Sequence, residues 1–442
     1  MSNHRLIATT ICLLLFGAAT LNAQSPDPIR NMREINPSLP PPIKLDESKI
    51  KANSISILPS KHLLLLTDLP SSKDVREFNE VFDQAIPQWC QYFNVDPSRT
   101  ADWQLRGMIM GDKQKFIGAG LMQGIPEFPA GFQTGHEMWV YLQPGTYYTR
   151  HLLIHEGTHA FMQWFLGGTG APWYTEGMAE LLGIHQWRDN RLAINFQLSD
   201  RSQAPYWGRI KLLQEDVVNG KAMTLNDVFA FSNSAFRDVR SYAWSWAACQ
   251  FLSQHELARD AFENLKADVR LSPTAFNQSL TNAIATVRTQ LDIHWSLFIH
   301  EIDFGYDINR GRLKSIRADA SGIFELAIDQ SWQQTNFAVE RGEEIRVFHQ
   351  GQFIIGIEDG TPLRCEANGI TLNYYDGKPQ GQLVFAVRDK NDVSDLNEAN
   401  SLGSSGVITC NRSGFLCFRV NESPAYLGDN SGNLKLKMVR RR

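Results

Sequence analysis

The spacing of hydrophobic and polar positions changes twice along this chain. Between residues 61 and 142, short apolar runs of strand length alternate with one helix-period segment and with loops rich in Gly and Pro. Apolar residues then recur at helical spacing as far as about residue 302. Beyond residue 320, short alternating or apolar runs are separated by turns. The pattern predicts a mixed first part, a mainly helical middle and an all-β end.

The first part contains three predicted strands, at residues 61–67, 103–110 and 137–142. A helix is predicted after the first strand, because apolar residues recur there every three to four positions. Its apolar stripe consists of Val75, Phe78, Phe82, Ile86 and Trp89. The helices predicted for the middle part span residues 150–166, 173–182, 209–218, 241–253, 255–269 and 284–302.

The last part contains predicted strands at residues 345–348, 353–357, 370–375, 383–387, 407–410, 415–420 and 434–439. Strands at this spacing favour an all-β sandwich or jelly roll. The predicted fold class is therefore α+β. A small mixed sheet with a mainly helical part spans residues 56–312, and a separate β-sandwich accessory domain spans residues 313–442.

The amino terminus has the pattern of an export signal. Residues 1–5 carry a basic side chain, residues 6–19 form a short apolar run, and Ala23 offers a cleavage point. The run is too short to favour a membrane span, although an uncleaved anchor is the alternative. Residues 1–23 are thus predicted to be a signal peptide, and the protein to be secreted, periplasmic or held at the cell surface. Residues 24–55 are interpreted as a Pro-rich linker or pro-segment.

Composition narrows the possible partners. The chain has 442 residues and a formal net charge of -4, which gives no argument for nucleic acid as a partner. No stretch after the signal peptide is long and apolar enough to cross a bilayer. The cysteines after residue 23 are Cys90, Cys249, Cys365, Cys410 and Cys417. Export permits disulfides, but the spacing fixes no pairing and is not that of zinc ligands.

The strongest chemical signal is the sequence His155-Glu156-Gly157-Thr158-His159. Residues four apart lie on one face of a helix, so His155 and His159 are placed to bind one metal ion. Glu156 lies at the side of the pair, where it can act as a base on a water molecule. Chance also produces this short motif, so its meaning depends on a third ligand elsewhere in the chain.

A second helix supplies carboxylates that can complete such a site. The Gly-rich loop at residues 167–172 predicts a reversal of the chain, and Glu176 falls in the first turn of the helix that follows. Glu180 lies four residues further on and therefore on the same face. The alternative is that both carboxylates are solvated charges on the helix surface.

The combination of HEGTH at 155–159 with TEGMAE at 175–180 resembles the gluzincin metallopeptidases, the thermolysin-like and aminopeptidase-like superfamily. The resemblance implies that His155, His159 and Glu176 bind zinc and that Glu156 is the general base. It also implies that Glu180 holds a ligand imidazole in its metal-binding tautomer. The strand at residues 137–142 is expected to be the edge strand that receives the substrate backbone.

A further catalytic candidate is Tyr242. The segment RSYAWSWA at residues 240–247 resembles the gluzincin helix that carries a Tyr whose hydroxyl stabilises the oxyanion of the tetrahedral intermediate. The alternative is a core tyrosine among tryptophans. The chain lacks a clear exopeptidase signature, so an endopeptidase that acts on peptide or protein substrates is preferred. A binding or adhesion protein with a vestigial metal site and a non-peptidase zinc hydrolase are the other functions left open.

The end of the chain has a resemblance of its own. The segment FLCFRVNE at residues 415–422, followed by YLGDNSGNL at 426–434, resembles galactose-binding-like jelly rolls related to small bacterial lectins. The resemblance implies that Asp429, Asn430 and Asn433 bind Ca²⁺ and that the β domain has a carbohydrate ligand. The alternative is that these residues only turn the chain between two strands.

Overall fold

The computed structural model describes residues 41–389, 394–397, 399–402 and 406–441. The predicted signal peptide at residues 1–23 and the first part of the Pro-rich segment lie outside these residues. Among the helices of the described ranges, none combines the length and apolarity that crossing a bilayer requires. The described cysteines are all buried, and none of them forms a disulfide.

A five-stranded sheet in the order β1-β2-β3-β5-β4 forms the first layer. Its strands are β1 (Ser56–Pro59), β2 (Leu63–Thr67), β3 (Leu105–Met110), β4 (Gly131–Thr134) and β5 (Glu137–Tyr141). The three central strands β2, β3 and β5 are parallel, and β1 and β4 are antiparallel to their neighbours. Central strands are covered on both faces, which explains why β2, β3 and β5 are rich in apolar residues and were predictable.

The two edges of this sheet are β1 and β4, so the expectation that residues 137–142 form the edge strand is wrong. Gly135, with φ +55°, reverses the chain between β4 and β5 and makes the two strands a hairpin. The hairpin places β4 outside β5. All four residues of β4 are half-buried, so neither face of the strand is an apolar core face. Its sequence therefore lacks the alternation of apolar and polar residues that identifies a strand.

Residues 41–55 pack against the face of the sheet that carries Met108 and Trp139. They include helix α1 (Glu47–Ala52), whose N-cap Asp46 accepts from the backbone N–H of Lys49. Ile50 is 1% exposed and Ile55 is 5% exposed. Aliphatic side chains therefore anchor residues 41–55 to the sheet, and the interpretation of residues 24–55 as a linker or pro-segment stays a prediction.

The other face of the sheet is covered by helix α2 (Lys73–Phe93). Its N-cap Ser72 accepts from the N–H of Val75, and Asn94 ends the helix in the left-handed conformation. The stripe read from the sequence is buried as expected, from Val75 through Trp89. The helix prediction for this segment is confirmed.

The middle of the chain is mainly helical. It contains α3 (Lys113–Gly118), α4 (Thr146–Phe161), α5 (Pro172–Gly183), α6 (Arg209–Val218), α7 (Leu225–Phe229), α8 (Val239–Gln254), α9 (Arg259–Asn264), α10 (Pro273–Ala283), α11 (Arg288–Glu301) and α12 (Ile308–Gly311). A hairpin of β6 (His185–Arg188) and β7 (Arg191–Ile194) follows α5. The helix predicted at residues 255–269 is shorter than expected, because regular α-helix is confined there to α9.

The last part of the chain consists of strands in two main sheets and one hairpin. Its strands are β8 (Lys314–Ile316), β9 (Ile323–Ala327), β10 (Gln333–Val339), β11 (Glu344–Gln350), β12 (Phe353–Glu358), β13 (Thr361–Cys365), β14 (Asn368–Tyr375), β15 (Lys378–Arg388), β16 (Asn400–Ser401), β17 (Val407–Thr409), β18 (Gly414–Val420) and β19 (Asn433–Arg440). The sheet β14-β15-β18-β10-β8 and the sheet β17-β11-β19-β9 share one apolar core. Each strand predicted in this region is present, and we call residues 314–440 the β region.

The β region is joined to the helical part through α11. Leu297 of α11 belongs to the same buried apolar cluster as Trp332 and Cys417. Arg419 pairs with Glu301 at the end of α11, and its guanidinium lies 4.8 Å from the centre of the Trp332 ring. Because both charges of this pair are buried, each depends on the other to offset its loss of hydration.

The packing of residues 41–55 predicts the effect of Ile50→Ala. Removing a buried aliphatic side chain leaves a cavity, so the free energy of unfolding should fall by about 2 to 5 kcal/mol. Chemical denaturation checks this, with the exposed neighbour Lys51→Ala as the control, which should change stability by less than about 0.5 kcal/mol. Equal stability of the two variants would mean that this segment does not contribute to the folded core.

Candidate metal centre

Two consecutive helices, α4 and α5, carry the metal-site motif. After α4 the chain makes one π-helical turn at Met162–Leu166, and Gly167 then ends the turn in the left-handed conformation. Pro172 begins α5, where its missing N–H costs no hydrogen bond. The reversal lays α5 against α4, so the motif residues of the two helices face each other.

Two glycines allow the helices around the site to pack closely. A Cβ on Gly157 of α4 would lie 2.6 Å from the Trp89 ring of α2. A Cβ on Gly177 of α5 would lie 2.5 Å from the carbonyl oxygen of Ser245 in α8. Both distances are shorter than van der Waals contact, so any larger residue would force the helices apart and move the side chains between them.

His155, His159 and Glu176 bring three ligand atoms together. The Nε2 atoms of the two histidines lie 3.2 Å apart. Oε2 of Glu176 lies 3.3 Å from His155 Nε2 and 3.4 Å from His159 Nε2. The two histidines are buried, and Glu176 is partly accessible to solvent. The three residues named from the sequence as metal ligands therefore form one compact triangle of ligand atoms, which we call the metal triangle.

The size of this triangle fits a tetrahedral metal ion. Zinc binds His nitrogen and carboxylate oxygen at about 2.0 to 2.2 Å, and tetrahedral geometry then separates the ligand atoms by about 3.4 Å. The observed separations are 3.2 to 3.4 Å. Three ligands from the protein also leave the fourth position open, as a catalytic zinc site requires.

The carboxylate of Glu180 is fixed behind the triangle by several donors. Arg209 binds both of its oxygens, with Nη2 at 2.7 Å from Oε1 and Nε at 2.9 Å from Oε2. Trp207 Nε1 donates to Oε2 at 3.3 Å, and His151 Nε2 lies 3.4 Å from the same oxygen. Oε1 lies 3.5 Å from Nδ1 of His155. Glu180 therefore faces the ring nitrogen of His155 that points away from the triangle.

A second group of possible ligands, His151, His155 and Glu180, also lies close together. This group cannot hold a cation in the same way, because the guanidinium of Arg209 already occupies both oxygens of Glu180. Burial works against the charge of Glu180, but Arg209 and His151 outweigh it and hold the pKa of this carboxyl well below its usual range. The group is a paired ionic cluster beside the metal triangle.

Glu156 lies between the metal triangle and the edge strand β4. A Cβ on Gly131 would lie 2.3 Å from Oε1 of Glu156, so this position must be glycine for the strand to approach the carboxylate. Burial, together with the charges of Glu176 and Glu180, raises the pKa of Glu156 to about 8. The side chain is therefore held beside the strand edge in a setting that favours proton binding.

Glu176 has the opposite electrostatic setting. Burial alone would favour its protonated form, but the imidazoles of His159 and His155 outweigh burial and lower the pKa of Glu176 to about 2. Two neighbouring carboxyls of the site thus have pKa values that differ widely. In the metal-free site Glu176 is held ionised, whereas Glu156 favours its protonated form.

Tyr242, in the first turn of α8, lies beside His155. Their ring centres are 6.2 Å apart, and the guanidinium of Arg209 lies 5.5 Å from the centre of the Tyr242 ring. Phe236 packs edge-on against the other side of the ring, at 5.1 Å. Burial and the nearby carboxylates, first among them Glu176, raise the pKa of Tyr242, so its hydroxyl keeps the proton that a donor needs.

Sequence reasoning missed Arg209, Trp207 and Gly131. Arg209 and Trp207 act on Glu180 from 29 and 27 positions away, and no local motif marks such a contact. Gly131 was read as part of a Gly- and Pro-rich loop, and only the position of β4 gives it a role. His185, which is near the site but outside the triangle, stacks on Tyr147 with the ring centres 4.5 Å apart.

The turn predicted to bind calcium lies in the β region. Nδ2 of Asn430 donates to Oε2 of Glu422 at 2.5 Å, while its buried Oδ1 has no hydrogen-bond partner among the described residues. Asp429 accepts from the N–H of Ile357 at 3.4 Å. Asn433 begins β19 with an exposed side chain. Calcium binding by Asp429, Asn430 and Asn433 stays a prediction.

No protein-family model and no curated protein matches this sequence. Among solved structures, the N-terminal domain of EclA, described as a PllA-like lectin, is similar to part of it. The match covers 27% of this chain and 95% of that chain, with 16% sequence identity and a TM-score of 0.21. A TM-score this low carries no inference about fold or ligand.

The geometry of the triangle predicts that zinc binds and stabilises the fold. A ligand that binds only the folded state adds about 2.7 kcal/mol of stability at a concentration one hundred times its Kd. Thermal melting of metal-free protein with added zinc should therefore show a rising midpoint. The shift should be lost in His159→Gln and retained in His300→Gln, since His300 is exposed and outside the triangle. A similar zinc response in both variants would exclude His159 as a ligand.

Proposed function

We propose that this protein is a zinc-dependent peptidase of the gluzincin type, exported from the cell, with Glu156 as the general base. The observation that carries the proposal is the triangle of His155, His159 and Glu176, whose ligand atoms lie 3.2 to 3.4 Å apart. Glu156 lies on the same helix beside it, and Glu180 faces the back of His155. Such a set of residues suits metal-assisted hydrolysis better than a structural metal site, which is closed by a fourth protein ligand.

Zinc supplies a Lewis acid that polarises a carbonyl group and lowers the pKa of water to about 7. Residues of the chain would hold and orient the zinc ligands. Oε1 of Glu180 lies 3.5 Å from Nδ1 of His155 and favours a proton on that nitrogen, which would leave the Nε2 lone pair for coordination. His159 and Glu176 complete the set of three ligands.

Glu156 moves the proton. Its carboxylate accepts a proton from the attacking water and transfers it to the amine that leaves when the peptide bond breaks. In the metal-free site, burial and the neighbouring carboxylates raise the pKa of Glu156 to about 8, so this carboxyl binds a proton readily. A carboxyl with an ordinary pKa would accept the proton less readily.

Tyr242 is proposed to donate its hydroxyl proton in a hydrogen bond to the oxyanion of the tetrahedral intermediate. Its ring lies next to the metal ligand His155 and is held by Arg209 and Phe236. A donor that is fixed before the reaction stabilises the developing charge without having to reorganise.

The edge strand β4 is proposed to bind the substrate. Within the described residues, β4 pairs with β5 on one side only, so its other edge can accept an extended peptide. Gly131 brings this edge to the side of Glu156. A peptide that adds to β4 as a further strand would run past the metal triangle, which favours cleavage within a chain over removal of single terminal residues.

Glu156→Gln tests the base. The amide cannot accept the proton, so cleavage of a peptide library should fall by about 10² to 10⁴-fold while zinc content stays at the wild-type level. The exposed Glu127→Gln is a matched control and should cleave as the wild type does. Zinc-loaded wild-type protein that cleaves no peptide would move the assignment to a non-peptidase hydrolase or a binding protein.

Tyr242→Phe tests the oxyanion donor. Loss of one such donor lowers kcat by about 10² to 10³-fold, with little change in KM, because the bond forms only in the transition state. The control is Tyr206→Phe, since the Tyr206 side chain is exposed. Unchanged kcat in Tyr242→Phe would show that Tyr242 only packs beside His155.

A further inference from the structure

His151 lies in α4 one turn before His155 and is completely buried. Its Nε2 atom lies 3.4 Å from Oε2 of Glu180, and its ring stacks on Tyr148 with the ring centres 5.4 Å apart. It is not one of the three atoms of the metal triangle. Neither ring nitrogen of His151 has a hydrogen-bond partner among the described residues, so the approach of Nε2 to this buried carboxylate needs an explanation beyond packing.

The surrounding backbone makes room for this ring. A Cβ on Gly183, at the end of α5, would lie 2.8 Å from Cε1 and 3.0 Å from Nδ1 of His151. Any side chain at this position would push the ring out of its place. The last turn of α5 therefore provides space for His151, three residues after the same helix has provided Glu180.

The two oxygens of Glu180 have different neighbours, and His151 lies beside only one of them. Oε2 receives Nε of Arg209 at 2.9 Å and Nε1 of Trp207 at 3.3 Å, and Nε2 of His151 approaches the same oxygen. Oε1 receives Nη2 of Arg209 and faces Nδ1 of His155. Donors on Oε2 hold this oxygen away from His155, so that Oε1 is the oxygen presented to the ligand ring.

We propose that His151 is a positioning residue for metal binding, which donates from Nε2 to Glu180 and thereby fixes the carboxylate that orients His155. This inference rests on the metal site of the proposed function. His151 acts on the metal only through two intermediates, Glu180 and then His155. Loss of a residue that directly bonds a metal ligand typically weakens binding by about 10 to 100-fold, and His151, one contact further out, is expected at the lower end of this range.

Two amide substitutions of His151 test whether a donor at the position of Nε2 is required. In His151→Gln, the side-chain amide nitrogen can occupy the place of Nε2 and still donate to Glu180. In His151→Asn, the amide ends near the place of Nδ1 and cannot reach. Both variants are polar and similar in size, so their effects on packing are matched while only one keeps the donor.

The measurement is the Kd of purified protein for zinc, obtained by competition with a chelator of known affinity. We expect His151→Asn to bind zinc about 10-fold more weakly than the wild type, and His151→Gln to stay within about threefold. Gly183→Ala should resemble His151→Asn, because the added methyl displaces the ring while the imidazole stays present. The control is His185→Asn, a buried histidine nearby that bonds the carbonyl oxygen of Gly183 and should lower stability without weakening zinc binding.

The outcomes separate this inference from the proposed function. Wild-type protein that binds no zinc overturns the proposed function itself. If the wild type binds zinc and the Asn and Gln variants have equal affinities, whether both are weakened or both unchanged, the positioning role is overturned, since only Gln keeps the donor. A purely structural role would lower the melting temperature of the metal-free protein in both variants and leave their zinc affinities alike.

Discussion

The buried ion pair between Glu180 and Arg209 is the interaction on which the geometry of the candidate metal site depends. A carboxylate that is 1% exposed is costly unless donors satisfy its oxygens, and Arg209 binds both of them. The same guanidinium lies over the ring of Tyr242. One residue of α6 thus holds the carboxylate behind His155 and the phenol beside it, and α4, α5 and α8 are tied together around its charge.

The residues of the metal triangle could be predicted from the sequence, whereas the contacts that support them could not. The spacing of His155, Glu156 and His159 on one helix is local, and the Gly-rich reversal before Glu176 is visible in the chain. Both therefore led to residues that the structure brings together. Arg209 has no such signal, because its partner Glu180 lies 29 positions earlier and on another helix.

In the β region, too, only some of the strands could be predicted from the sequence. Strands with an apolar inner face, such as β18 and β19, were predictable from their pattern. Strand β10 was not, because its buried positions include Gln333 and Thr335. Gln333 bonds the backbone of Ala327, and Thr335 donates to the carbonyl oxygen of Leu416. Buried polar side chains that satisfy distant backbone groups look like loop residues in a sequence.

The contact between α11 and the β region bears on how separable the parts of this protein are. The predicted boundary at residue 312 falls at a plausible point in the chain, yet Leu297 and Glu301 on one side of it are buried by Trp332 and Arg419 on the other. A chain cut at that boundary would expose an apolar surface and leave a charge without its partner. The two parts are therefore not freely exchangeable modules, because each buries side chains of the other.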